Sequence, residues 1–75
     1  MEQYNDLNGD SGVVAYQIGS DSITVEFRGG AAYSYNYGSA GRSHIEAMKQ
    51  LAASGDGLNS YINRNVKKLY AEKLR

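Results

Sequence analysis

The sequence predicts an α+β fold, a three-stranded antiparallel meander followed by two helices packed on one face (βββαα). Three observations carry that expectation. Apolar residues alternate with polar ones in three short runs between positions 13 and 37, glycine-containing turns separate the runs, and after residue 43 the apolar spacing changes to three and four. A sheet with one apolar side needs a second layer, and an amphipathic helical pair supplies it. Seventy-five residues suit one domain, and with 41% hydrophobic residues and no cysteine the core must be small and held without disulfides.

The elements follow in order. Residues 1–12, rich in Asn, Asp, Gly and Gln, have no apolar period and read as a disordered leader to a single domain over 13–75. Val13 to Ile18 reads as a strand with Val14, Tyr16 and Ile18 on one face. Gly19-Ser20-Asp21 turns the chain, and Ser22 to Arg28 places Ile23, Val25 and Phe27 on a core face. Gly29-Gly30 suits a hairpin turn before a third strand over Ala31 to Tyr37. Ser43-His44-Ile45-Glu46 matches a capping box, so a helix carrying Ile45, Met48, Leu51 and Ala52 starts there and stops at Ser54-Gly55. Asp56 can cap a second helix whose stripe of Leu58, Tyr61, Ile62, Val66, Leu69, Tyr70 and Leu74 runs for nearly five turns.

Charge and motifs exclude several functions. No apolar run reaches the ~20 residues of a membrane span, and no signal-peptide pattern opens the chain, so a cytoplasmic protein without membrane partners is expected. The formal charge is zero, but it is unevenly spread: residues 1–38 hold only Arg28 against five acids, and residues 39–75 hold seven bases against three acids. The single histidine, His44, adjoins Ser43 on a predicted helix, where neighbours do not face each other, and it reads as an exposed first-turn residue. His44-Ile45-Glu46 opens like a zinc deaminase signature, but the cysteine pair that would hold the zinc is absent. Asp6-Leu7-Asn8-Gly9-Asp10 resembles the start of a calcium loop, yet Ser11 and Gln17 replace the required glycine and glutamate. The glycines form no phosphate-cradling pattern. We therefore expect no catalytic residues, no metal and no cofactor.

A basic and aromatic constellation remains, since seven of the eight aromatic residues are tyrosine. Tyr33 and Tyr35, with Tyr37, form a stripe at alternate positions. Arg28, Lys49, Arg64, Lys67 and Lys68 are candidate phosphate contacts, and Arg42, Lys73 and Arg75 belong to the same positive surface. The bland alternative is a solvated helix face that happens to be basic. Two hairpin registers decide what the tyrosines do. A two-residue Gly29-Gly30 turn puts Glu26 opposite Tyr33 and sends the tyrosines to the polar face as a stacking platform; a three-residue loop puts Val25 opposite Tyr33 and makes them core. The shorter turn is preferred here because Gly-Gly is its usual chemistry.

Taken in order and spacing, these motifs resemble the KTSC domain, a small module found at the carboxyl end of some lysyl-tRNA synthetases and as a lone bacterial protein. The family's Tyr-x-Tyr mark would be Tyr33-Ser34-Tyr35. Ile23-Thr24-Val25-Glu26-Phe27-Arg28-Gly29-Gly30 is similar to its strand and turn, Ala52-Ala53-Ser54-Gly55 to its helix end, and Asn59 with Ile62 to its Asn-x-x-Ile. The likeness covers about residues 11 to 73. Gly38-Ser39-Ala40-Gly41 departs from the family's Val-Pro, and Leu58 stands where an aromatic residue is frequent. The synthetase context implies RNA as a partner. The leading expectation is a non-catalytic RNA-binding module; the alternative is a protein-interaction or self-association module using the tyrosine face or a sheet edge, and a third is a ligandless spacer with its tyrosines in the core.

Overall fold

A computed structural model describes residues 1–7 and 12–75. It is an α+β structure whose antiparallel sheet runs in simple order β1 (Glu2–Gln3), β2 (Val13–Ile18), β3 (Ser22–Phe27), β4 (Ala32–Asn36) and β5 (Glu72–Lys73). Between β4 and β5 the chain forms α1 (Tyr37–Ala40), α2 (Arg42–Ser54) and α3 (Leu58–Tyr61), the last continuing as a wider π-helical turn over Ile62–Val66. Ile23, Val25 and Tyr35 from the sheet, Ile45, Met48 and Ala52 from α2, and Leu58, Ile62 and Val66 from the last helical stretch form one buried cluster. The expected core faces of β3 and of both helices up to Val66 are therefore found.

The meander has five strands among the described residues rather than three, because both chain ends join it. Within the expected leader, Glu2 pairs with Tyr16 and Gln3 with Ala15. Tyr4 is only 3% exposed, its N–H donates to the Val14 carbonyl (3.0 Å), and its hydroxyl accepts from the Leu58 N–H (3.2 Å). One buried ring and these bonds fasten this polar stretch to the sheet and to α3; the rest of the calcium-like run, Asn8 to Asp10, lies outside the described residues. Gly55 closes α2 with φ 79°, and a Cβ there would meet the Asn5 Cβ at 2.7 Å, so glycine is needed both for the left-handed cap and for this close approach.

The second hairpin takes the longer loop. Val25 faces Tyr33 and Ile23 faces Tyr35, while Phe27 N–H donates to the Ala31 carbonyl at 2.7 Å around Arg28-Gly29-Gly30. The preferred two-residue turn is thus corrected: the three-residue loop puts the Tyr35 ring beside Ile23 and Val25, and burial of a large ring outweighs the turn preference of Gly-Gly. In β2 a bulge between Val13 and Ala15 shifts the alternation, so Val13 and Tyr16 are buried in place of a strict Val14, Tyr16, Ile18 face.

Three helix boundaries also differ. The capping box sits at Asn36, whose side-chain oxygen accepts from Ser39 N–H (2.8 Å) while Ser39 Oγ accepts from Asn36 N–H (3.1 Å). α2 follows Gly41 with no side-chain cap, and Gly57 rather than Asp56 precedes α3. The long stripe ends at Val66. Beyond it the backbone turns to β4, where Ala71 N–H donates to Ser34 and Leu74 N–H to Ala32, both at 2.7 Å. An uncovered β4 edge would leave those carbonyls without sheet partners, and pairing them outcompetes another helical turn. Leu69, Tyr70 and Leu74 are consequently 42%, 41% and 44% exposed.

A candidate nucleic-acid interface

Where β4, the π-helical turn and the returning C-terminal segment meet, they leave an open groove of about 220 Å³. Phe27, Ala31, Tyr33, Tyr35 and Tyr70 line it from the sheet side and the return, and Ile62, Asn63 and Lys67 from the helical turn. The strand register explains the aromatic wall. Tyr33 pairs with Lys73 across β4 and β5, so the two share the helix-side face, whereas Glu72 opposes Ser34 on the other face. Tyr33 meets Phe27 edge-on at 5.8 Å between ring centroids and Tyr70 at 4.8 Å, and the Lys73 ammonium lies 5.8 Å from its ring centre.

Tyr35 forms part of the floor. It is 1% exposed, and burial above all, with Tyr33 and Tyr70 adding a smaller effect, pushes its phenol up to about 12. A ring so enclosed has no face for a stacked base, so of the two tyrosines proposed from sequence only Tyr33 keeps an accessible surface.

The five basic candidates separate. Lys67 lines the groove, and Arg64 and Lys68 are exposed on the same helical stretch. Arg28 stands at the hairpin tip, 4.0 Å from Asp6. Lys49 is at the other end of the helix layer, bonded to Glu46 (3.0 Å) and to the Ser20 carbonyl (2.9 Å), with its side chain 15% exposed. It clamps α2 to the turn between β2 and β3. Tyr70, expected only on the helical stripe, enters the site because the chain returns as β5, and the same return brings Lys73, already part of the expected basic surface, beside Tyr33. Asn63 also lines it; its only signal in the sequence is proximity to Lys67 on one helical stretch.

The Lys49 end is a closed network. Tyr37 hydroxyl donates to Glu46 (2.7 Å), and the Lys49 and Arg42 cations lie 5.8 Å and 6.0 Å from the Tyr37 ring centre. The Tyr37 bond first and Lys49 second hold the Glu46 carboxyl below its ordinary range, and the same bond to a carboxylate raises the Tyr37 phenol. His44 Nδ1 is 2.6 Å from the Tyr61 hydroxyl, so the residue expected to be exposed is half-buried and partnered. Among the described residues no group of three His, Cys, Asp or Glu side chains is placed to hold a metal ion, and no helix is long and apolar enough to cross a membrane. Comparison with protein families, curated proteins and solved structures gives no match to this chain.

Proposed function

We propose that this chain is a KTSC-like, non-catalytic module that binds single-stranded RNA in the groove between β4 and the π-helical turn. One observation carries the reading: a concave surface walled by aromatic rings has one cation without a carboxylate partner, Lys67, on its lining and a second, Lys73, beside its Tyr33 ring. Lys67 and Lys73 have no ion pair among the described residues, whereas Lys49 and Arg75 are tied to Glu46 and Glu26. A base can stack on a tyrosine while the backbone crosses the lysines, and such an arrangement gives weak, salt-dependent binding. Glu26 poses little obstacle, because its pairing with Ala32 puts it on the sheet face opposite the groove and Arg75 lies 3.8 Å from it.

An amide-resolved NMR titration with short single-stranded RNA, at low and then physiological salt, tests this. Saturable shifts at Tyr33, Asn63, Lys67 and Tyr70 that weaken with salt are the expected result. Absence of shifts, or binding insensitive to salt, removes the reading. The exposed apolar side chains of Leu69, Tyr70 and Leu74 favour a second reading, a protein partner or second copy docked on the C-terminal segment. A mass that rises with concentration, and that Leu69→Ser with Leu74→Ser returns to the monomer value, would support it.

A further inference from the structure

Resting on the RNA reading, we infer that residues 67–75 are a two-state strap, docked on the β4 edge in this structure and continuing the preceding helix in its second state, and that RNA bound in the groove holds the docked state. The docked state is fastened by backbone. Ala71 N–H donates to the Ser34 carbonyl and Leu74 N–H to the Ala32 carbonyl, both at 2.7 Å, and the Arg75 carbonyl accepts from Ala32 N–H at 3.2 Å. Side chains add little. Every residue from 67 to 75 is exposed, and the Arg75–Glu26 pair spans 3.8 Å between side chains 57% and 27% exposed. A segment held by exposed hydrogen bonds, with few buried apolar contacts, opens locally before the domain unfolds.

The same residues suit a helix. Lys67-Lys68-Leu69-Tyr70-Ala71-Glu72-Lys73-Leu74-Arg75 contains no glycine, proline or β-branched residue, and Leu69, Tyr70 and Leu74 recur at three and four positions beyond Val66. The helical turn over Ile62–Val66 is already formed, so further residues extend it without a new nucleation step. That turn is wound as a π-helix, a widening found mostly at functional sites, and it stands where the two paths diverge. RNA discriminates between the states because the groove is complete in only one. Docking brings Tyr70 to 4.8 Å from Tyr33, between ring centroids, and the Lys73 ammonium to 5.8 Å from the Tyr33 ring centre. Release takes away one aromatic wall and one cation. A ligand that uses both binds the docked state more tightly and shifts the population towards it.

The test combines amide hydrogen exchange and relaxation dispersion on the full chain, free and with saturating single-stranded ribohexamer at low salt. In the free chain the Ala71 and Leu74 amides should exchange at least about a hundredfold faster than those of β3. Dispersion over 67–74 should report a minor state with helical Cα shifts, and RNA should slow exchange of both amides by about tenfold. A pair of variants weights the equilibrium from outside the groove. Glu72 opposes Ser34 on the other sheet face; Glu72→Thr favours the extended strap, and Glu72→Gln, of the same charge, favours the helix. The two amides should exchange about fivefold more slowly in Glu72→Thr than in Glu72→Gln. Strap amides as slow as those of β3, a minor state without helical shifts, or equal exchange in the two variants overturns the inference. RNA that shifts Tyr33 and Lys67 while leaving exchange at Ala71 and Leu74 unchanged also overturns it, and RNA binding then stands. No RNA-induced shift anywhere removes both the coupling and the RNA reading.

Discussion

Two ends of the helix-side face put similar residues to opposite uses. At one, Tyr37 lies near both Arg42 and Lys49, but Glu46 shares the cluster: it accepts the tyrosine hydrogen bond and pairs the lysine, and Lys49 also binds the Ser20 carbonyl. At the other, Tyr33 lies beside Lys73 and close to Tyr70, Lys67 borders the groove, and no carboxylate is among the lining residues. A ring and a cation with a carboxylate become a clasp that holds α2 to the sheet. Without one they stay available to a ligand that brings its own negative charge. The difference lies in one residue type, not in the number of bases or tyrosines at each end.

The largest expected effect removes the floor beneath the groove. Tyr35→Ala deletes a buried ring at a cost of about 3–5 kcal/mol, much of the stability a small domain has, so chemical denaturation should show a chain unfolded or nearly so without denaturant. A midpoint close to wild type would mean that Tyr35 is not held in the core. Next comes the charge contrast. Lys67→Glu with Lys73→Glu should weaken binding of single-stranded RNA by more than about tenfold and lower the slope of log affinity against log salt by roughly 0.7 for each phosphate no longer neutralised. Both residues are exposed, so thermal stability should move by less than about 0.5 kcal/mol. Lys49→Gln should do the reverse, costing about 1 kcal/mol through removal of the bonds to Glu46 and Ser20 while RNA affinity stays unchanged. An RNA defect in Lys49→Gln equal to that of the Lys67 and Lys73 double variant would erase the distinction between the two ends.

Sequence made the two ends unequally legible. The alternation of β3 predicts Ile23 and Val25 in the core, and Ile45, Met48, Leu58, Ile62 and Val66 at helical spacing predict the second layer, all of which the structure contains. The hairpin register was open because Arg28-Gly29-Gly30 can form either loop, and only the space for the Tyr35 ring beside Ile23 separates them. The groove depends on that register and on β5. No glycine or proline interrupts Leu69 to Leu74, whose apolar spacing continues the helical stripe; what ends the helix is a distant demand, the carbonyls of Ala32 and Ser34 on the β4 edge. Tyr70 and Lys73 reach the site through that long-range pairing, so local pattern could not place them there. Likewise Tyr4 is one ring in a polar stretch, and its anchoring shows only when Leu58 and Val14 are brought beside it.

The smallest expected effect, and the most selective for the closed end, is its dependence on pH. The Tyr37–Glu46 hydrogen bond joins two titrating groups, so it is strongest while the phenol is protonated and the carboxyl ionised. Glu46 is lowered from an ordinary value of 4.5 by that bond first and Lys49 second; its contribution is therefore present above 4.5 and is lost as pH falls through its lower folded value. Tyr37 is raised from 10.0 by the same bond, so its contribution is present below 10.0 and is lost as pH rises through its higher folded value. Burial raises Tyr4 and Tyr35 as well, which mixes several phenols into the alkaline limb. The acid limb is the cleaner test. Denaturation midpoints followed from about pH 6 down past about 4 should fall more steeply in wild type than in Tyr37→Phe, which keeps the ring near Arg42 and Lys49 but removes the donor. RNA binding by Tyr37→Phe at neutral pH should match wild type, because the groove at the other end has no such carboxylate to release. Parallel acid limbs in the two proteins would mean that Lys49 and Arg42 hold Glu46 ionised without the phenol and that the tyrosine serves the clasp only through its ring.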